Sequence, residues 1–318
     1  MDFVNSLLAN LEPEVEDAEE ETFMLYSQPI PSMNLGFVDS RAASVDVSVA
    51  DRDYTIHQSP TVLSSSRAGG TTGAVLWKIA PSFASWLSSP SNPILANTIH
   101  SNASILELGC GISPLSALAL GPRVARYVLT DQSYVQRLVQ RNLDENFSSA
   151  FSSGTSTPTS GRGKKKRSGH GHGHGAAQPN IRFTTLDWET DEVTPSLTGS
   201  DEARSFDAVV ACDCVYNYAL VDPFVQACAD ACRLRLSDDE AFANDEERRP
   251  CVCVIGQQLR SDEVFESWLK AFSTSFHVWR ASDSVLPAEL RPSAGFVVHV
   301  GILRDEIKKG TNIAFLTS

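Results

Sequence analysis

The sequence predicts an α/β fold: a seven-stranded, mostly parallel sheet with helices on both faces and a β-hairpin ahead of it. Three observations predict it. Between residues 104 and 303, short apolar runs alternate with longer amphipathic stretches, the order expected of strands joined by crossover helices. The first two runs enclose the turn Gly109-Cys110-Gly111, which outlines a strand–turn–helix–strand unit. Finally, 42% of the 318 residues are hydrophobic, enough for a sizeable core in one domain with additions.

Phe3, Val4, Leu7, Leu8 and Leu11 recur at helical spacing and predict a short opening helix. The acidic run from Glu12 to Glu21 is expected to be a solvated tail, with an interaction arm as the other reading. Val45, Val47 and Val49 alternate with polar residues, and Tyr54 and Ile56 continue the pattern after Asp51-Arg52-Asp53, which predicts the hairpin. Residues 73–87 carry a helical face of Val75, Leu76, Ile79, Phe83, Trp86 and Leu87, with Pro81 inside it, so a kinked helix is expected. Strands are then expected over 104–108, 126–131, 181–186, 206–212, 251–256, 276–280 and 296–303. Helices are expected over 113–120, 134–146, 219–236 and 262–272. The last two strands have no helix between them and are read as an antiparallel edge pair. Residues 148–179 are rich in Ser, Gly and Thr and contain Lys164-Lys165-Lys166-Arg167 followed by His170, His172 and His174. Such a composition buries no core, so a disordered, solvated insertion is expected. Residues 190–205 and 237–250 read as shorter polar excursions. The chain thus divides into an extension, 1–72, with an acidic segment and the hairpin, and a main domain, 73–318.

In an open parallel sheet, ligands bind outside the carboxyl ends of the strands. Those ends carry Glu107 to Gly111, Asp131, Asp187-Trp188 and Cys212-Asp213, which should converge on one crevice. Glycine lets backbone approach a ligand, and an acid about twenty residues on can accept hydrogen bonds from ribose hydroxyls. Asp131 is that acid, a helix cap being its plainer reading. A dinucleotide fingerprint has a third glycine where this chain has Pro114, which suits a helix start but lacks the N–H a pyrophosphate uses. Glu107, an acid just before the glycines, is also a poor neighbour for phosphate. Both departures favour an adenosine cofactor without phosphates, and S-adenosyl-L-methionine is the candidate. Trp188 either lies along the adenine or belongs to the core.

Asp213-Cys214-Val215-Tyr216 follows the fourth strand, where a methyl donor and its acceptor would meet. Methyl transfer is an in-line displacement that needs the nucleophile held in line and, for an amine, deprotonated. A carboxylate and a phenol at that point can position a lysine ammonium and help it shed a proton. Asp213 and Tyr216 are therefore the catalytic candidates, with a helix N-cap as the alternative for Asp213. No Asn-Pro-Pro-Tyr-type segment, expected for a nucleobase or glutamine-amide acceptor, occurs in the sequence. Its absence favours an aliphatic amine.

The formal net charge of −13 argues against a generally basic nucleic-acid-binding surface and suits a basic protein partner. Seven cysteines, an odd number and partly set in apolar runs such as Cys251-Val252-Cys253-Val254, read as reduced thiols of an intracellular protein. Cys228 and Cys232 stand four apart and Cys212 and Cys214 flank Asp213; neither pair has zinc-ligand spacing, so no metal is expected. Met1-Asp2-Phe3-Val4 opens without the basic and apolar regions of a secretory signal, and no stretch has membrane-spanning length. A cytoplasmic or nuclear protein without membrane contact is expected.

With these residues assembled, the sequence resembles the seven-β-strand S-adenosylmethionine-dependent methyltransferases, whose sheet is Rossmann-like. More narrowly, it resembles the family 16 protein-lysine methyltransferases, the methyltransferase-like 21 group. Five ordered motifs carry the likeness: Thr72-Gly73-Ala74-Val75-Leu76-Trp77, Glu107-Leu108-Gly109-Cys110-Gly111, Thr130-Asp131, Leu186-Asp187-Trp188 and Asp213-Cys214-Val215-Tyr216. The resemblance implies that Trp77, Gly109, Cys110, Gly111, Asp131, Trp188 and Cys212 line the cofactor site, and Glu107 is counted with them. It also implies that Asp213 and Tyr216, the family's Asp-x-x-Tyr signature, lie at the acceptor pocket. Within the group, the hairpin, the segment ending in Trp77-Lys78 and the long insertion look most like the fungal ribosomal lysine methyltransferases. That implies a large-subunit ribosomal protein as substrate; a monomer with no direct nucleic-acid substrate is expected. The other readings are a different protein or a small molecule as acceptor, or a non-catalytic adenosyl-binding scaffold on the ribosome.

Overall fold

A computed structural model of the protein describes residues 2–31, 35–67, 70–151, 180–238 and 249–307. Helix α1 (Asp2–Leu8) leads into β1 (Leu11–Glu14), α2 (Ala18–Tyr26) and a hairpin of β2 (Ser44–Val49) and β3 (Arg52–His57). After α3 (Pro60–Leu63) and α4 (Ile79–Ser88), strands and helices alternate. They are β4 (Ser104–Leu108), α5 (Leu115–Leu120), β5 (Arg126–Asp131), α6 (Gln136–Phe151), β6 (Ile181–Thr185), β7 (Ala208–Cys212) and α7 (Val221–Leu236). Then come β8 (Val252–Gln258), α8 (Asp262–Ser275), β9 (Phe276–Ala281), β10 (Phe296–Leu303) and α9 (Arg304–Ile307).

The main sheet runs in the order β1-β9-β10-β8-β7-β4-β5-β6. From β6 to β8 the strands are parallel; β10, β9 and β1 are added antiparallel. Every residue of β4 and β8 is buried, which is why these strands read as largely apolar runs. Alternate side chains feed two cores. Ile105, Val210 and Val254 pack with α4, α5, α6 and the hairpin, whereas Leu106, Val209 and Ile255 pack with α7 and α8. From β4 the chain winds outward through β5 to β6, then returns to β7 on the other side of β4. The carboxyl ends of β4 and β7 therefore flank a topological switch point, where a crevice opens.

The predicted class holds, with one strand more than expected. The acidic run is not a solvated tail. Leu11–Glu14 pairs with β9 as an edge strand, where Pro13 is tolerated. Asp17 caps α2 by accepting from the N–H groups of Glu19 and Glu20. Side chains on the sheet draw the acids in: Glu14 meets His277 at 2.6 Å, and buried Glu21 meets Arg280 at 2.9 Å. β9 and β10 do pair antiparallel, but neither is the edge, because β1 covers β9. The helix expected over 73–87 is confined to α4, preceded by a 3-10 turn at Thr72–Ala74. Pro81 falls in the first turn of α4, where its missing N–H is no loss, so no kink is needed. Pro114 precedes α5 as its N-cap instead of opening it. Within 190–205, a 3-10 turn at Pro195–Thr198 buries Leu197 and Thr198. Of the insertion expected to be disordered, residues 148–151 instead continue α6, while 152–179 lie outside the described residues, as does 239–248 of the later excursion.

The hairpin forms as predicted and docks on α6 through two asparagines. Asn142 accepts from the His57 N–H at 2.8 Å and donates to the His57 carbonyl at 3.0 Å and the Ile112 carbonyl at 2.8 Å. Asn146 makes the same pair of bonds to Thr55, each at 2.9 Å. The β3 backbone is thus covered by side-chain amides. Through Ile112 it is also tied to the glycine turn.

Candidate active site

The turn after β4 forms one wall of the crevice. Gly109 and Gly111 have φ of +69° and +56°, in the left-handed region glycine adopts freely. Neither has room for a side chain. A Cβ at Gly109 would stand 2.6 Å from the Cys214 sulfur and 3.0 Å from the Trp188 ring; at Gly111 it would stand 3.1 Å from the Gly73 carbonyl. Backbone bonds pin the turn: Cys110 N–H donates to Thr130 O at 3.0 Å and Ile112 N–H to Gly73 O at 2.8 Å. The Thr72–Ala74 turn thereby closes over the glycines, and Gly73 N–H donates to the Tyr134 hydroxyl at 3.0 Å.

Two acids face this turn, Glu107 buried and Asp131 half-buried. Asp131 accepts from Gly111 N–H at 2.8 Å and from Gln132 N–H at 2.7 Å. It is not a helix cap, because Gln132 precedes the following 3-10 turn. Burial pushes its carboxyl up to about 6, against the pull of the two amides. Glu107 accepts from the Tyr127 hydroxyl at 2.7 Å. Burial raises it to about 8, the Tyr127 hydrogen bond opposing and the Asp131 charge adding. A cationic ligand would favour the ionised form of both acids. Ser113 Oγ and Trp188 Nε1, also in the lining, are buried without a hydrogen-bond partner among the described residues. Buried polar atoms left this way are suited to bonding a ligand. The glycine cradle, the two acids and these atoms together fit an adenosine cofactor bearing positive charge.

Across the crevice stands Asp213, a non-glycine residue at φ +59° whose N–H donates to Gly256 O at 2.7 Å. Its side chain is only 1% exposed. Arg260 grips it with both guanidinium arms, Nη1 donating to Oδ1 at 2.7 Å and Nη2 to Oδ2. Gln258 N–H adds a bond to Oδ1 at 3.2 Å. The guanidinium lies over Trp77, 4.7 Å from the ring centroid, and Phe37 leans on the same indole at 4.6 Å. Asp213 is not an N-cap; Asn217 has that role before the next turn, accepting from Leu220 N–H at 3.2 Å. Tyr216 sits at the mouth, 36% exposed. Burial pushes its phenol up, and a hydrogen bond with Thr72 opposes this.

Trp77, Glu107, Gly109, Cys110, Gly111, Asp131, Trp188, Cys212, Asp213 and Tyr216, the ten residues singled out in the sequence, all line this one crevice. Arg260, Gln258 and Tyr134 were not among them. Arg260 lies 47 residues beyond Asp213 and reaches it only because β8 runs beside β7. The available signal was the polar Gln257-Gln258 at the carboxyl end of an apolar strand. All seven cysteines are free, and burial pushes Cys110, Cys212 and Cys214 well up, so thiols face the crevice and not thiolates. Among the described residues, no group of three or more His, Cys, Asp or Glu is placed to hold a metal ion.

No protein-family model matches the sequence. The chain is 29% identical over 234 residues to ribosomal lysine N-methyltransferase 5 of Zygosaccharomyces rouxii, covering 69% of this chain and 70% of that one. It is 29% identical over 298 residues to ribosomal lysine N-methyltransferase 5 of Saccharomyces cerevisiae (strain YJM789), covering 78% and 79%. These relatives bear out the likeness to fungal ribosomal lysine methyltransferases read from the motifs. A Schizosaccharomyces pombe protein named diaminohydroxyphosphoribosylamino-pyrimidine deaminase is 27% identical over 266 residues, covering 83% of this chain. This chain spans only 53% of that relative's length. The His-x-Glu and Pro-Cys-x-x-Cys segments of zinc nucleobase deaminases do not occur in this sequence, so that relative's printed activity finds no matching residues here.

Proposed function

We propose that the protein is an S-adenosylmethionine-dependent protein-lysine N-methyltransferase whose substrate is a large-subunit ribosomal protein. The observation that carries this is the one crevice at the switch point, with a glycine cradle, Glu107 and Asp131 on one wall and Asp213 with Tyr216 on the other. When bound, the cofactor supplies an electrophilic methyl group on a sulfonium. Asp131 would hold the ribose hydroxyls, Trp188 the adenine, and Glu107 the cationic methionine end. Asp213 and Tyr216 would orient the acceptor amine in line. The lysine and ribosomal parts rest on the names of the relatives and the acidic charge of the chain. No helix among the described residues is long and apolar enough to cross a membrane. In this reading the enzyme works as a monomer in the cytoplasm, with the nucleus as the other location, and takes protein and not nucleic acid as its substrate.

Calorimetry tests the cofactor: S-adenosylmethionine should bind, and Asp131→Ala should weaken it by about tenfold or more, the worth of a lost charged hydrogen bond. No binding would sink the enzyme reading altogether. Incubation with tritiated cofactor and large-subunit ribosomal proteins should label lysine, and Asp213→Ala should abolish the label while leaving cofactor affinity largely intact. Label confined to small molecules or nucleic acid would move the acceptor elsewhere.

A further inference from the structure

The acceptor-side carboxylate is not a bare anion. Arg260 meets both oxygens of Asp213, its Nη2 also donates to Gln258 Oε1 at 3.0 Å, and its face is stacked on Trp77. There is little freedom to swing away. A Cβ at Gly36 (φ +86°) would stand 2.1 Å from Gln258 Oε1 and 2.8 Å from Arg260 Nη2, so the extension closes tightly over the pair. Lys78 N–H donates to Gly36 O at 2.8 Å and fixes that closure beside Trp77.

We infer that Arg260 is a positioning residue for methyl transfer, which neutralises Asp213 so that the acceptor amine enters beside a neutral pair. The inference rests on the lysine-methyltransferase reading. In the transfer, the amine lone pair forms the new C–N bond while the C–S bond breaks, its electron pair remaining on sulfur. An ammonium has no lone pair to offer, so one proton must leave for solvent before attack. A bare carboxylate in contact with the amine would raise the amine's pKa by about 1–3 units and hold it protonated. A carboxylate already forked to a guanidinium exerts little net field, yet retains lone pairs that accept an N–H hydrogen bond. Arg260 thus separates two tasks, orienting the amine and letting it lose its proton.

The other titratable groups facing the pair are Tyr26 from α2, itself beside Asp262 at the start of α8, and Cys212 and Cys214 on either side of Asp213. Glu107 and Tyr216 lie further along the crevice. All are unchanged in an Arg260 variant, so comparison with the wild type isolates Arg260.

The test is the pH dependence of kcat/KM for Arg260→Gln, with tritiated cofactor and large-subunit ribosomal proteins as the probe, beside cofactor calorimetry and thermal unfolding. The acid limb should move up by about one to three pH units. Arg260→Lys restores the charge without the bidentate fork, so its limb should return toward the wild-type position even though its rate is low. Without any substrate, Arg260→Gln should melt below the wild type because it strands a buried anion, and adding Asp213→Asn should recover much of the loss. An unmoved acid limb in a folded, cofactor-binding variant overturns the inference. So does a double variant no more stable than Arg260→Gln. Absence of transfer by the wild type would instead overturn the function, and the melting comparison would still decide whether Arg260 neutralises Asp213.

Discussion

Glu107 ties the cofactor wall to the stability of the whole chain. Its carboxyl is raised by burial from 4.5 to about 8. Between those values the folded chain keeps a proton that the unfolded chain releases. The resulting stabilisation is complete below about pH 4.5 and is lost as the pH rises through about 8. Glu107→Gln keeps the site neutral and can still accept from Tyr127. Its melting temperature should therefore gain on the wild type as pH rises from 5 to 9, each pKa unit corresponding to about 1.4 kcal/mol. A gap that stays constant across that range, measured by thermal denaturation, would show that Glu107 is ionised in the fold. As a residue type beside the glycines, Glu107 was legible in the sequence. Its neutral state was not, since that depends on Tyr127 from the neighbouring strand and on complete burial. Arg260 was hidden for the same kind of reason. Asp213 carries its own sequence signal, but its partner is supplied by a different strand.

Elements differ in how much of their placement is local. β4 and β8 are mostly apolar because both faces are covered, with Ser104, Glu107 and Gln257-Gln258 as the exceptions, so their existence was written in the sequence. β1 was not. Leu11-Glu12-Pro13-Glu14 has one apolar residue and a proline, and it becomes a strand because β9 offers an edge and His277 a partner for Glu14. The histidine that draws in that acid lies 263 residues away, beyond any local reading. The contact of α6 with the hairpin is equally non-local and gives a test at this scale. Asn142→Ala removes three bonds and leaves the Ile112 carbonyl and the His57 N–H and carbonyl without them. The expected loss is about 2–4 kcal/mol in urea denaturation, with a weakened cofactor site because Ile112 belongs to the glycine turn. A loss below about 0.5 kcal/mol, within the range of surface substitutions, would mean that water replaces the asparagine.

For the molecule as a whole, the net charge of −13 decides how a partner arrives. Part of it sits on exposed acids of two adjoining helices. Glu19 and Glu20 lie in the first turn of α2, and Asp262 and Glu263 in the first turn of α8, which packs against it. Tyr218, 55% exposed, reaches Glu263 at 3.2 Å and links that acidic ground to the segment carrying Tyr216 at the crevice mouth. A highly basic protein approaching this face gains from the summed field well before contact. That gain is carried by exposed charges, so salt should remove it, the Debye length falling from about 10 Å at 0.1 M to about 3 Å at 1 M. KM for a ribosomal protein substrate should rise several-fold as sodium chloride goes from about 0.05 to about 0.3 M. By contrast, kcat should change little, because the Asp213–Arg260 pair and the crevice wall are buried and weakly screened. Cofactor affinity, which the proposed function assigns to Glu107, Asp131 and the glycine cradle, should likewise hold, as calorimetry at the two salt concentrations would report. A KM indifferent to salt would assign substrate capture to the apolar rim around Tyr216 and Tyr218, and leave the acidic charge without a part in recognition.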